Sequence, residues 1–182
     1  MSTSGVPAGQ AREEKVATSE AVTATVEVAV DPATAFEIFT EEIGQWWRPG
    51  PINWNHADLA IGIRIEPGVG GRWLEVEDAE TGEGCECGRI TVWEPGERLV
   101  FLYRDSGHDL DDTEVEIVFQ PVAGGTRVTL EHRGWERLQA DLASRKRNAK
   151  RAGWLNILSW YSDWAFWGSP LRLKVRRGSA AP

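Results

Sequence analysis

His132 and Tyr103 are the side chains of this sequence best suited to handling a proton. A histidine titrates near neutral pH and a phenol is a strong hydrogen-bond donor. The two together suit general acid–base work on a carbonyl compound, or recognition of a ligand oxygen. His132 is in phase with Val128 and Leu130, so it faces the same side of a strand as those apolar residues, just before Gly134 and Trp135. There it either meets a ligand or serves as a core histidine hydrogen-bonded to backbone. Tyr103 ends another apolar run and either donates to the same ligand or stands at a rim with its hydroxyl in water. No catalytic constellation accompanies them: no Gly-x-Ser-x-Gly elbow, no His-Glu-x-x-His and no cysteine with an evident histidine partner. That silence lowers hydrolase and metalloenzyme readings and leaves a cyclase-like enzyme open, since a cyclase needs only one or two well-placed groups.

Ten tryptophans, against two tyrosines and five phenylalanines, are the main compositional oddity. Indole is large and stiff, and its N–H wants a partner when buried, so ten imply a bulky core or an aromatic-lined cavity. Trp46, Trp47 and Trp54 fall where a pocket mouth would close; they line it or plug it. Trp73, Trp135, Trp154 and Trp160 are further candidates, and Ile157, Leu158 and Tyr161 share the helical stripe of Trp154. Among charged residues in or beside strands, Arg72, Glu75, Arg89 and Arg104 mostly face solvent. One or two enter the pocket, where an inward arginine needs a carboxylate beside it.

Cys85 and Cys87 form a Cys-x-Cys pair that reads as two small hydrophobes on one strand face rather than as half of a zinc site, and no metal is expected. The stretch GVGGR at 68–72 lacks the Gly-Lys-Ser/Thr of a phosphate loop and leads into a strand, so it is a hairpin turn, and no cofactor is expected. A formal charge of −8 argues against a general affinity for nucleic acid or anionic membrane. The local run Arg145, Lys146, Arg147, Lys150 and Arg151 is either a solvated helix face or a surface for a protein partner. With neither a secretory leader nor an apolar run long enough to span a bilayer, the expected location is cytoplasmic.

The elements that position these residues follow from periodicity. Residues 21–30 alternate as a half-buried strand, with Val22, Val26, Val28 and Val30 on one face. Asp31-Pro32 then caps a helix that turns Phe36 and Phe39 inward, and a second short helix reaches Trp47 before Pro49. Period-two patterns follow at 59–65, 70–76, 85–93, 99–104, 114–119 and 126–133, separated by short turns and by a polar loop at 105–112, which implies antiparallel hairpins. From Trp135 the period returns to 3.6, with Trp154, Ile157, Leu158, Tyr161, Trp164 and Ala165 on one stripe until Gly168 and Pro170. The expected architecture is α+β and of the helix-grip type. A curved seven-stranded antiparallel sheet surrounds a long C-terminal helix, with two short helices closing the cavity. Residues 1–20 are expected as a disordered lead, 21–168 as the domain and 169–182 as a flexible basic tail.

Six segments in order, VEVAVDPATAFEIFT, WWRP, GVGGRWLEV, CGRITVWEPGERLVFLY, GGTRVTLEHRGW and GWLNILSWYSDW, carry a family resemblance. The chain is similar to the SRPBCC (START-like) superfamily, and within it to the branch related to the C-terminal domain of the heat-shock-chaperone ATPase activator. The resemblance implies the helix-grip fold and a cavity between sheet and helix; the superfamily includes lipid carriers, hormone receptors, polyketide cyclases and co-chaperones. Where the activator has a chaperone-binding N-terminal domain, this sequence offers only its twenty-residue lead, a departure that bears on any co-chaperone role. The leading expectation is binding of a hydrophobic or aromatic small molecule in the cavity. The alternatives are a polyketide aromatase/cyclase-like enzyme using His132 and Tyr103, and a co-chaperone-like or stress-linked interaction module.

Overall fold

The computed structural model describes residues 21–50, 54–104, 113–138 and 140–172. The expected lead, the polar loop at 105–112 and the part of the expected tail from 173 onward lie outside the described residues.

Apolar–polar alternation produces strand β1 (Val22–Val28), which buries Val22, Ala24 and Val28. Asp31 then stops the strand and caps helix α1 (Pro32–Glu41). Its carboxylate accepts from the Thr34 amide at 3.1 Å and from the Thr34 hydroxyl at 2.8 Å. Pro32 fills the first helical position, where a missing N–H costs nothing, and a cap of this kind stabilises by about 1 kcal/mol. Helix α1 turns Phe36 and Phe39 into the core, and the short α2 (Ile43–Trp46) adds Ile43 and Trp46.

Six strands follow: β2 (Gly62–Ile65), β3 (Arg72–Val76), β4 (Gly84–Glu94), β5 (Arg98–Tyr103), β6 (Thr113–Val122) and β7 (Gly125–Arg133). They form one seven-stranded antiparallel sheet in the order β1-β7-β6-β5-β4-β3-β2. Sequential hairpins build six strands of it, and β1 closes the far edge against β7 with Val22 opposite His132. Helices α1 and α2 thus carry the chain from the β1 edge to the β2 edge. The sheet curls, as twisted antiparallel sheets of this width do, around a long C-terminal helix.

Strand β2 is shorter than its sequence suggests. Leu59 and Ile61 alternate in phase with Ile63 and Ile65, yet only the latter two are buried; Leu59 is 62% and Ile61 59% exposed. The His56 carbonyl accepts the amides of Leu59 and Ala60 in a turn, and the Ile61 amide then donates to the Val76 carbonyl as Gly62 comes into register with Val76.

After β7, Gly134 adopts φ +93°, a conformation that suits glycine, and a 3-10 turn (Trp135–Arg137) leads to α3 (Ala140–Asp163). Ala143, Trp154, Ile157, Leu158, Tyr161 and Ala165 form the buried stripe. The last turn, Trp164–Gly168, is a π-helix, and the change of pitch leaves Trp164 at the margin of the core instead of on the stripe. Beyond it, Ser169 is buried and Leu171 packs on the core. None of the described helices is long and apolar enough to cross a membrane.

Candidate functional site

Where inward-facing residues of β3, β5 and β7 meet the inner face of α3 and the end of α2, a run of aromatic side chains packs ring on ring. Trp73 and Phe101 lie 4.6 Å apart between ring centres, Trp47 and Trp73 5.0 Å, and Trp47 and Trp154 5.8 Å. The series continues from Trp154 to Tyr103 (6.0 Å), Tyr103 to His132 (5.4 Å) and His132 to Trp135 (4.2 Å). Most of these pairs meet edge to face or tilted, the geometry that a ring quadrupole favours. The fold therefore brings Trp47, Trp73, Tyr103, His132, Trp135 and Trp154 into one cluster. Trp46 and Tyr161 extend it toward α1, where the Tyr161 hydroxyl donates to the Ala35 carbonyl at 2.9 Å. Ile157 and Leu158 are buried beside them.

His132 is fully buried and both ring nitrogens are engaged. The Trp154 indole N–H donates to Nδ1 at 2.9 Å, so the ring proton sits on Nε2, which faces the Thr113 hydroxyl at 2.7 Å. Thr113 in turn donates to the Tyr103 carbonyl at 3.3 Å. The partners are thus an indole and a hydroxyl, where the sequence suggested either a ligand or backbone. Burial first, and the nearby Lys150 charge second, hold the imidazole well below its ordinary value of 6.5. The sign of the stability effect follows. Below pH 6.5 the unfolded chain takes up a proton that the folded chain refuses, so stability present above 6.5 is lost as pH falls. Relative to a His132→Gln variant, the wild type should lose about 2 kcal/mol of unfolding free energy between pH 7.5 and pH 5. Urea unfolding at the two pH values checks this, and parallel losses in both proteins would contradict it.

Tyr103 is also buried rather than at a wet rim, and its hydroxyl accepts from Lys150 Nζ at 2.7 Å. That ammonium stands 4.5 Å from the centre of the Tyr103 ring. In the basic run, Arg145 and Arg151 are exposed, whereas Lys146, Arg147 and Lys150 are partly covered. Lys150 precedes Trp154 by four residues, so helical spacing alone places both on the inner face of α3, a signal the sequence contains.

Trp54 is buried, and its indole N–H has no acceptor among the described residues. The segment that holds it is fastened to the sheet by Glu75. This fully buried carboxylate accepts the backbone amides of Asn55 at 2.7 Å and His56 at 2.8 Å. Asn55 Nδ2 reaches Cys87 Sγ at 3.2 Å and the Arg104 carbonyl at 3.5 Å, a poor acceptor and a long contact respectively. Of the charged residues in or beside strands, Arg72, Glu75, Arg89 and Arg104, Glu75 is the one that is buried. Arg72 pairs outside with Glu66 and Glu83, and Arg89 pairs with Glu86. Burial, then the Glu75 charge, pushes the Cys87 thiol up, so it stays protonated; Cys85 is raised for the same first reason. Asn55, Thr113 and Lys150 are site residues that period counting did not single out.

A curled antiparallel sheet gripping a long C-terminal helix, with short helices between its edges, defines the helix-grip class. The chain belongs to the activator of Hsp90 ATPase homolog 1-like protein family, whose pattern matches residues 29–159. The resemblance carried by the six sequence segments is therefore confirmed. Among solved structures, CalC from Micromonospora echinospora, described as a self-sacrificing resistance protein, is 27% identical with a TM-score of 0.54. The match covers 80% of this chain and 93% of CalC. The Aha1 dimer from Colwellia psychrerythraea is 14% identical over 82% of this chain and 98% of that one, with a TM-score of 0.51. Protein NE0264 from Nitrosomonas europaea is 17% identical over 86% and 96%, with a TM-score of 0.56. The latter two likenesses concern the fold alone. No curated protein matches the sequence.

Proposed function

We propose that the chain binds a hydrophobic or aromatic small molecule between the sheet and α3, holding it without chemical change. The observation that carries this reading is Trp54, a buried indole N–H without an acceptor among the described residues. A stranded donor of this kind costs about 1–3 kcal/mol, and a ligand oxygen would recover it. The next residue, Asn55, spends its side-chain NH2 on Cys87 Sγ, a weak acceptor. The complementary ligand is a flat apolar body bearing a carbonyl or another acceptor. The engagement of both His132 nitrogens, together with its suppressed protonation, supports binding over cyclase-like turnover.

Trp54→Phe keeps an aromatic ring and deletes the N–H. Binding of a flavonoid ketone should weaken roughly tenfold, as expected for one hydrogen bond of about 1.4 kcal/mol. The free variant should melt within ~5 °C of the wild type, because relief of the stranded donor offsets part of the lost packing. Unchanged affinity in the variant would remove Trp54 from the site.

A further inference from the structure

A second aromatic concavity adjoins the cluster at Trp46 and opens away from it, where α2 meets the π-helical end of α3. It has a volume of about 460 Å³ and is lined by Gln45, Trp46, Arg48, Trp160, Asp163, Trp164, Trp167 and Gly168. That volume falls within the usual range for small-molecule sites. The walls are fixed in advance. The Trp164 N–H donates to Glu42 Oε2 at 2.7 Å, and the ring lies so close to Gly168 that a Cβ there would run into it. The Trp46 floor spends its own N–H on the Ile38 carbonyl at 3.0 Å, and Arg48 stands 5.5 Å over the Trp160 ring. The π-turn that creates this arrangement is rare, and such turns occur often at functional sites.

From this arrangement we propose that the cleft is a ligand site separate from the one above, and that it takes a neutral pyranose ring. With its N–H committed to Glu42, the half-buried Trp164 indole offers carbon surface over a floor closed by the buried Trp46, which suits the C–H face of a sugar. Around it stand Arg48, which only donates, Asp163, which only accepts, and Gln45, which does both. A ligand meeting all three must donate and accept from neighbouring positions, as vicinal hydroxyls do, and the opposite charges of Arg48 and Asp163 favour a neutral one. The cleft is open: Trp167 is 73% exposed, and Gln45, Arg48 and Asp163 are exposed as well. The outer side of a bound ring stays in water, where hydroxyls are at home and a wholly apolar molecule gains less.

The test is an NMR titration of the intact protein, with isotope-labelled tryptophan, against a panel of methyl hexopyranosides, with 2-naphthol as the planar comparison. At least one hexoside should move the indole resonances of Trp160 and Trp167 saturably while leaving those of Trp47, Trp73 and Trp154 in place. Trp167→Ala should weaken that hexoside roughly tenfold, the loss of about one aromatic contact. Because the ring is exposed, the same variant should melt within ~2 °C of the wild type. Asp163→Asn should also weaken binding. Resonances still under every hexoside, shifts from 2-naphthol alone, shifts confined to the inner tryptophans, or full hexoside affinity in Trp167→Ala would each overturn the proposal. The result is independent of flavonoid binding at Trp54, so the two readings fail separately.

Discussion

Trp154→Ala is expected to lower the unfolding free energy by about 4 kcal/mol and the melting temperature by ~10 °C. Two losses combine. The ring is 1% exposed and packs on Trp47, Tyr103 and His132, so its removal leaves a cavity that rigid neighbouring rings cannot refill. Its N–H is also the donor to His132 Nδ1, and that buried acceptor would be stranded. Trp154→Phe separates the terms by keeping much of the packing and deleting the hydrogen bond, and should cost about 1–3 kcal/mol. Leu155, one position along and 53% exposed, supplies the control: Leu155→Ala should stay within about 0.5 kcal/mol of the wild type. Urea unfolding of the three variants measures all of this. Equal stability of Trp154→Ala and Leu155→Ala would show that the aromatic cluster does not hold α3 to the sheet.

The second large effect is expected at Glu75. A carboxylate that is 3% exposed persists only when its oxygens are satisfied, and here the amides of Asn55 and His56 satisfy them. Hydrogen bonds to a charged group contribute about 1.5–3 kcal/mol each, so Glu75→Ala should cost about 3 kcal/mol and ~9 °C in melting temperature. Glu75→Gln should recover less than half, because its NH2 group is brought against one of the two backbone N–H groups. The effect should extend to the site, since the same clamp holds the segment bearing Trp54. Trp54 fluorescence should become accessible to acrylamide in Glu75→Ala. A variant that melts with the wild type and keeps Trp54 shielded would remove the clamp from the account.

Much of the fold was legible because strand and helix periods are local properties. The alternation of β1, the Asp31-Pro32 start of α1, the hairpin turns and the stripe from Trp154 to Tyr161 all formed as their spacing dictates. The reading failed where tertiary contacts override a local pattern. Leu59 and Ile61 alternate like strand residues, but Leu59 sits on a turn that Glu75 clamps through Asn55 and His56, and Ile61 joins the sheet through its amide alone with its side chain exposed. Trp164 leaves its stripe because a π-turn alters the helical phase. For the candidate site, the facing of His132 and Trp154 followed from period, and their mutual hydrogen bond did not, since it joins β7 to α3 across the core. Lys150 was read as part of a charge run, although its spacing to Trp154 already placed it inward. The role of Asn55 had no sequence signal at all; it depends on Cys87 within β4 and on Arg104 just beyond β5 coming together in the fold.

The most direct test of the binding account is a titration of the wild-type protein with fatty acids, flavonoids and aromatic polyketides, followed by intrinsic tryptophan fluorescence and thermal melting together. Saturable quenching by at least one flat, acceptor-bearing compound is expected. At a hundredfold excess over Kd, about 2.7 kcal/mol of added stability and a melting temperature raised by ~5–10 °C are expected as well. No quenching and no thermal shift across the whole panel would contradict ligand binding, and would mean that the aromatic cluster is core alone.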